Sequence, residues 1–316
     1  MQIERLRSFT GPTSDIACVH LSPDADLVYL GGSFDGIHVW RTEDGSPIGH
    51  CAGTAAFAVS PNGRLLATAV TDIDSRHFRS TDLFSLALYD AQTLETITLQ
   101  LLPPLPLRAL VFSPVEPLLA VCSHPCLQLI DVVSRAVIGE FPAGDIYGTH
   151  HARFSADGSR LAVSGGPRVR IWDVPSGALL GEIREENDGL VVSPDGNLVA
   201  TSSGWTGYCP TAALWDAGTG APIRTLDDDS GVLSLAFTPQ GDYLIGAGYS
   251  YEEPQGGILQ VWRTDTWTTV SLRRGFPDTI WSLDISQDGT LLATSSSSGT
   301  GLAEATLWRL QPDEKG

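Results

Sequence analysis

The chain has 316 residues, a hydrophobic fraction of 42% and a formal net charge of −18, from 37 acidic and 19 basic residues. This excess of acid argues against nucleic acid or an anionic membrane as a partner, because both require clustered Lys and Arg. The chain has no run of 18 apolar residues, and its N-terminus, MQIERLRSFTG, lacks the apolar segment of a signal peptide, so we expect a cytoplasmic protein.

One pattern of strand, tight turn, strand, loop and strand recurs from one end of the chain to the other. The copies are, in order, HLSPDADLVYLGG to HVW at Trp40, AVSPNGRLLATAV to ALYD at Tyr89, VFSPVEPLLAVCS to LQLID at Ile130, RFSADGSRLAVSGG to VRIWD at Trp172, VVSPDGNLVATSSG to AALWD at Trp215, AFTPQGDYLIGAG to LQVW at Trp262, and DISQDGTLLATSS to TLW at Trp308. Their period of about 40 to 50 residues is typical of four-stranded propeller blades. We therefore predict one domain over residues 1–316.

Each copy has the same local chemistry. In the sixth, Leu233, Leu235 and Phe237 alternate with smaller residues, the period of two expected of a strand with distinct faces. Ser-Pro-Asp-Gly and its variants then predict a turn, because Pro restricts φ and Gly accepts a positive φ. A second strand rich in small residues and a third with the aromatic follow. A fourth, such as residues 222–226, leads to the next copy.

These copies resemble the WD-repeat β-propeller family over nearly the whole chain. Trp172-Asp173 and Trp215-Asp216 match the dipeptide that names the family, and two other copies have degraded forms of it. Most copies lack the family's Gly-His dipeptide, which removes the family's His–Asp hydrogen bonds and leaves aromatic and aliphatic packing to hold the blades. The resemblance implies an all-β fold: a single seven-bladed β-propeller of four-stranded antiparallel blades.

The two ends of the chain predict how the ring closes. Only residues 309–316 follow Trp308, too few for a further outer strand, whereas residues 3–9 precede the first copy. The segment IERLRSFTGPTSDI resembles the outer strand and link found between copies. We therefore expect the N-terminal strand to complete the last blade.

Long inserts separate the second strand from the third in four copies, at residues 71–85, 204–211, 249–257 and 295–304. Successive strands of a blade reverse direction, so these inserts and the links between blades lie at the same end of the propeller. We call this end the elaborated face. Binding usually resides on loops carried by a rigid scaffold.

The candidate partner-binding residues are aromatic and acidic side chains expected on the elaborated face. They are Tyr147, Trp205, Tyr208, Asp227, Asp228, Asp229, Tyr249, Tyr251, Glu252, Glu253 and Trp281. Aromatic rings supply contact area and acids select a basic partner. The alternative is that the aromatics pack loops onto the rim and the acids only keep the protein soluble.

Catalytic candidates are weaker. Asp145 lies near His150 and His151, but no Gly-x-Ser-x-Gly turn supplies a nucleophile. His150 occupies the place that Leu233 takes in its own copy, which favours a packed histidine.

Metal and phosphate sites are also disfavoured. Cys122 and Cys126 flank His124, but no second cysteine pair accompanies them. The five cysteines are odd in number and scattered, which fits a reducing compartment rather than a disulfide framework. The stretch SSSSGTG has neither a Lys nor a following helix, so a loop is favoured over a phosphate site. We predict no cofactor and no metal.

The leading functional interpretation is a non-catalytic scaffold or adaptor that binds a partner protein through a basic segment. We expect such a propeller to be monomeric within a larger complex, with no nucleic-acid or membrane partner. The alternative is a propeller enzyme, hydrolase or lactonase-like, with its site at the central channel. Against it, Asp188 and Asp284 are the main inward acids and are not expected to converge on one ion.

Overall fold

A computed structural model gives the architecture of the chain. The residues that it describes are 1–10, 16–32, 36–70, 85–98, 107–123, 126–142, 149–165, 168–185, 189–203, 212–226, 230–250, 255–296 and 303–311.

Within these residues, 28 β-strands form seven antiparallel sheets of four strands each, which confirms the predicted seven-bladed propeller. The strands of blades one to three are β2 (Cys18–Leu21), β3 (Leu27–Gly31), β4 (Ile37–Arg41), β5 (Pro47–Cys51); β6 (Phe57–Val59), β7 (Leu65–Val70), β8 (Ser85–Asp90), β9 (Thr96–Thr98); and β10 (Leu107–Phe112), β11 (Leu118–Ser123), β12 (Cys126–Asp131), β13 (Ala136–Pro142). Those of blades four and five are β14 (Thr149–Phe154), β15 (Arg160–Gly165), β16 (Arg168–Asp173), β17 (Leu179–Ile183); and β18 (Gly189–Val192), β19 (Leu198–Ser202), β20 (Ala212–Asp216), β21 (Pro222–Leu226). Those of blades six and seven are β22 (Ser230–Phe237), β23 (Tyr243–Ser250), β24 (Gly256–Arg263), β25 (Thr268–Phe276); and β26 (Ile280–Ile285), β27 (Leu291–Ser296), β28 (Glu304–Gln311) with β1 (Gln2–Thr10).

The N-terminal strand closes the ring, as predicted. Strand β1 pairs antiparallel with β28 from Gln2 opposite Gln311 to Thr10 opposite Glu304. Ile3 and Phe9 of this strand are buried. The closure is therefore an apolar contact as well as a hydrogen-bonded ladder.

Side-chain hydrogen bonds of one form hold the turn between the first and second strands. In blade five the Ser193 hydroxyl donates to Asp195 Oδ1 (2.5 Å), and the backbone N–H of Leu198 donates to Ser193 Oγ (2.9 Å). Gly196 completes the turn at a φ of 72°, which disfavours a side chain. The same Ser–Asp or Ser–Asn contact recurs at Ser22–Asp24, Ser60–Asn62, Ser155–Asp157 and Ser286–Asp288. These turns form the plain face, opposite the elaborated one.

The third-strand aromatics pack between neighbouring blades. Trp172 is buried and lies 5.4 Å from the ring of Phe141 in the preceding blade. Trp308 is buried and donates its indole N–H to Thr294 Oγ1 (2.9 Å). Trp215 is only partly buried, although its indole N–H donates to Thr201 Oγ1 in the same way (2.8 Å). Packing, together with this internal hydrogen bond at Trp215 and Trp308, stabilises these repeats without a Gly-His dipeptide.

Among the described residues, none belongs to a helix that is long and apolar enough to cross a membrane.

Candidate functional site

The elaborated face is set by strand direction. Successive strands of a blade run in opposite directions. The first strand of each blade, which is the inner one, therefore starts at the same end of the ring as the connection from the second strand to the third. Strand ends bracket connections at 71–84, 203–211, 251–255 and 297–303 on that end. The link 99–106 between blades two and three lies there as well, so the longest connections between the described strands start and finish on one face.

Nine of the eleven predicted partner-binding residues lie outside the described residues. They are Tyr147, Trp205, Tyr208, Asp227, Asp228, Asp229, Tyr251, Glu252 and Glu253. Asp145, His124 and Asp188 also lie outside them. Tyr249 and Trp281 are described, and both lie in strands.

Tyr249 extends the second strand of blade six rather than lying in an insert. It pairs with Gly231 on one side and with Gly257 on the other. A Cβ at the neighbouring Gly248 would lie only 1.7 Å from the Gly231 carbonyl oxygen. Glycine at this position thus permits the two backbones to approach closely. The strands β22, β23 and β24 therefore run further than the sequence pattern predicted, and Tyr249 lies partly buried at their end.

Trp281 lies in the inner strand β26 of blade seven rather than in the preceding link. It is the extra residue of a β-bulge between Ile280 and Ser282. His150 and Leu233 take the same bulge position in their blades, as the alignment of their copies predicted. A bulge re-aims a side chain, and Trp281 lines a cavity at the centre of the ring.

This cavity is the part of the central channel next to the elaborated face, and its volume is about 240 Å³. Inner strands of six blades contribute to its wall, from their first residues at the elaborated face down to their middle. Its polar and aromatic lining consists of Cys18, His20, Phe57, Arg108, His151, Arg153, Ser234, Trp281 and Ser282. In a chain of net charge −18, this lining is cationic.

Cys18, His20 and Asp284 form a polar cluster across the junction of blades one and seven. His20 Nδ1 lies 3.4 Å from Asp284 Oδ2, which also accepts the backbone N–H of Leu21 at 2.8 Å. The side chain of Ser282 is 4.0 Å from Cys18 Sγ. Asp284, expected to be an isolated inward acid, therefore orients a histidine instead.

Protonation in this cluster is coupled. Burial acts to lower the pKa of His20, but the charge on Cys18 and the hydrogen bond to Asp284 outweigh burial and raise it. Burial acts to raise the pKa of the Cys18 thiol, yet the charge and hydrogen bond of His20, with Arg153, bring it below its ordinary value. Both shifts favour a thiolate beside an imidazolium over a neutral thiol beside a neutral imidazole.

Sequence reasoning missed this cluster, although a signal was present. His20, Arg153 and Asp284 each lie two residues before the Ser that begins a turn, so they share one position of the repeat. In a closed ring, a position shared by all inner strands converges on the axis. The copies align on that Ser as well as on the aromatic, so comparing the residue two places before the Ser from blade to blade would have placed the three together.

The other chemical candidates remain apart. Burial raises the pKa of the Cys122 thiol to about 12, and no group of three or more His, Cys, Asp or Glu with metal-binding geometry occurs in the described part of the chain. His151 lines the channel. A larger groove of about 620 Å³ lies between blades three and four on the plain face, lined in part by Val115 and Phe141.

The chain is similar to known repeat proteins over part of its length. The family model for the WD domain, G-beta repeat, matches residues 3–39, 220–262 and 268–300. The U3 small nucleolar RNA-associated protein 15 homolog of Xenopus tropicalis is 30% identical over 189 residues, which are 57% of this chain and 34% of that protein. The homolog of Xenopus laevis is 29% identical over 140 residues, which are 42% of this chain and 26% of that protein. The matched region thus spans about a third of these relatives or less.

The expected cytoplasmic location is wrong by this comparison. Both relatives carry association with a small nucleolar RNA in their names, which points to the nucleolus rather than the cytoplasm. A missing signal segment and unpaired cysteines separate secreted from intracellular proteins. Neither feature distinguishes one intracellular compartment from another, so composition alone gave the wrong one.

Proposed function

This chain is a WD-repeat β-propeller of seven blades, and we propose that it acts as a non-catalytic scaffold that holds a partner protein on its elaborated face within a larger assembly. The observation that carries the proposal is that the longest connections, 71–84, 203–211 and 99–106, all start and finish at one end of a rigid ring. The other end carries short, mutually similar turns whose polar side chains bond to their own backbone. A surface built from unlike connections is the one that distinguishes partners.

The partner presents a basic segment, and blade six is where it docks. Ser230 pairs with Ser250 at the elaborated end of β22 and β23. The acidic stretch 227–229 precedes the first of these residues, and the stretch 251–254, with Glu252 and Glu253, follows the second. Two acidic stretches therefore adjoin one strand pair, beside the partly buried Tyr249. Acids there raise the association rate of a cationic segment, while aromatics supply affinity.

The names of the relatives support one kind of assembly. Their names state association with a small nucleolar RNA, so this chain takes a place in a ribonucleoprotein assembly and, with it, a nucleolar setting. Its own contacts are with protein, since a net charge of −18 opposes a phosphate backbone.

The test begins with purification of the native assembly on the tagged full chain, followed by binding kinetics with the purified partner. Reversing Glu252 and Glu253 to Lys should slow association about tenfold at low salt and flatten its salt dependence. Tyr251→Ala should speed dissociation. Asp195→Asn on the plain face and Val115→Ser in the groove are the matched controls, and neither should change the kinetics.

Two outcomes would contradict the proposal. Binding that ignores the elaborated-face changes but is abolished by either control variant places the interface on the opposite face. A thermal shift of several degrees with divalent metals, which a metal-dependent propeller hydrolase should show, would favour the enzymatic alternative.

A further inference from the structure

The mouth of the central channel holds a nucleophile with its activating partners, which a scaffold does not need. Cys18 is partly exposed there, whereas Cys51 and Cys122 are buried in the blade cores. Burial raises the pKa of both core thiols to about 12, which keeps them protonated and inert. Cys18 differs from them in access and in its neighbours.

Those neighbours come from two blades. His20 follows Cys18 by two residues on β2, so both side chains project from the same face of the strand into the channel. Asp284, on the inner strand of blade seven, lies 3.4 Å from His20 Nδ1, where it orients the imidazole and helps to raise its pKa. The ring of His20 also packs edge-on against Phe57 at a centroid distance of 4.9 Å, which restricts it further.

The rest of the wall adds positive charge. Arg153 and His151 project from β14, and Arg108 from β10. The lining residues from β6 and β22 are uncharged, so among the described inner strands Asp284 is the carboxylate that faces the cluster. A cationic wall favours a thiolate over a thiol and attracts small anions.

We propose that Cys18 is a reactive thiolate and that small electrophiles and peroxides modify this chain there. With an alkyl halide, sulfur donates its electron pair to carbon, an S–C bond forms, and halide leaves with the electrons of the broken bond. With hydrogen peroxide, an S–O bond forms as the O–O bond breaks. The cysteine is oxidised to a sulfenic acid, the peroxide is reduced, and the departing hydroxide takes a proton to become water. The cavity of about 240 Å³ admits a reagent of roughly eight non-hydrogen atoms, at about the 30 Å³ that a water molecule takes in the liquid.

Alkylation of the full folded chain tests the proposal. Iodoacetamide at pH 7, followed by peptide mass spectrometry, should label Cys18 about tenfold faster than Cys126, since an ordinary thiol is only a few per cent ionised at that pH. Cys126 is the internal reference because it too is partly exposed. Hydrogen peroxide should convert the same residue to a dimedone-reactive sulfenic acid, and Cys18→Ser should remove both products. Equal labelling of the two cysteines, or faster labelling of Cys126, overturns the proposal.

The pH profile separates activation from mere access. His20→Gln should move the midpoint of Cys18 alkylation to higher pH, and Asp284→Asn should do so by a smaller amount, because Asp284 is a positioning residue that acts through His20. Iodoacetate should react faster relative to iodoacetamide than it does with glutathione, and Arg153→Gln should reduce that preference. An unchanged midpoint in His20→Gln, with the melting temperature retained, would show that the imidazole does not activate the thiol and would overturn the proposal.

Discussion

The plain face and the channel mouth use the same residue types in opposite ways. On the plain face, Asp195 accepts a hydroxyl from its own turn and a backbone N–H, and nearly identical contacts recur in other blades. At the channel mouth, Asp284 contacts a histidine of another blade, and no other described inner strand has a carboxylate at that position. A contact that recurs from blade to blade is one that each blade needs in order to fold. A side chain found at one blade only is not needed for that purpose and can have a function in the assembled ring.

The largest expected effect comes from removing the strand that closes the ring. Deletion of residues 1–10 takes β1 from blade seven and leaves β28 as an open edge. We expect the free energy of unfolding to fall by several kcal/mol. Urea denaturation followed by tryptophan fluorescence measures the loss, and the exposed change Glu4→Ala serves as a control. A deletion that melts like the intact chain would show that the ring holds without this strand.

Truncating a third-strand aromatic comes next. Trp172→Ala should cost about 3 to 5 kcal/mol, because it removes a buried ring that packs against Phe141. Trp215→Ala should fall at the lower end of that range, since this side chain is partly exposed. Denaturant midpoints of both variants give the order. Full stability combined with lost partner binding would mean that these rings belong to an interface instead.

One polar side chain at each end of the ring, Ser193 on the plain face and His20 at the channel mouth, allows the two ends to be compared directly. Ser193→Ala deletes a buried donor to Asp195 and the acceptor for Leu198, and should cost about 1 to 2 kcal/mol. His20→Gln at the channel mouth should cost less, because its pair with Asp284 is partly exposed. Chemical denaturation of both variants makes the comparison. A larger cost for His20 would assign the channel cluster a structural role.

The smallest expected effect is the change in stability at acidic pH. The pKa values of Asp157, Asp195 and Asp288 are lowered mainly by a hydrogen bond from a serine hydroxyl of the same turn. The donors are Ser155, Ser193 and Ser286 respectively. A carboxyl whose pKa is lower in the folded state adds stability above its unfolded pKa of about 3.9 and loses it as the pH falls further. The melting temperature should therefore drop below about pH 4. Asp195→Asn should flatten that drop slightly, and a steeper drop in this variant would contradict the assignment.

Much of the fold could be predicted because it is repetitive. The local residue patterns at Trp172 and at the Ser193 turn recur about once every 40 to 50 residues, so seven weak indications of a blade combine into one strong prediction. The closing strand followed from counting strands at the two ends. Tyr249 and Trp281 were misplaced by a few residues, because strand extension depends on glycine contacts and a bulge depends on pairing register.

The channel cluster was harder for a physical reason. Cys18 and Asp284 are far apart in the sequence and lie in different blades, so no local spacing links them. Their proximity results from ring geometry, which sequence reasoning applied to the blades and to the outer loops, but at the axis only to the acids Asp188 and Asp284. The subcellular location could not be predicted either, because amino-acid composition indicates the redox environment of a protein but not the compartment in which it lies.

The pairing of β1 with β28 has a consequence for the time course of folding. The two strands join residues about 300 positions apart, a contact that chain entropy makes slow to form and that requires the intervening blades to be in place. During synthesis, β28 leaves the ribosome after every other strand of the ring. His20 and Asp284 lie on either side of the same junction, in blades one and seven. A nascent or partly opened propeller therefore has a Cys18 that keeps its neighbour His20 on β2 but lacks Asp284, and a rise in its labelling rate during refolding would time the moment at which the ring closes.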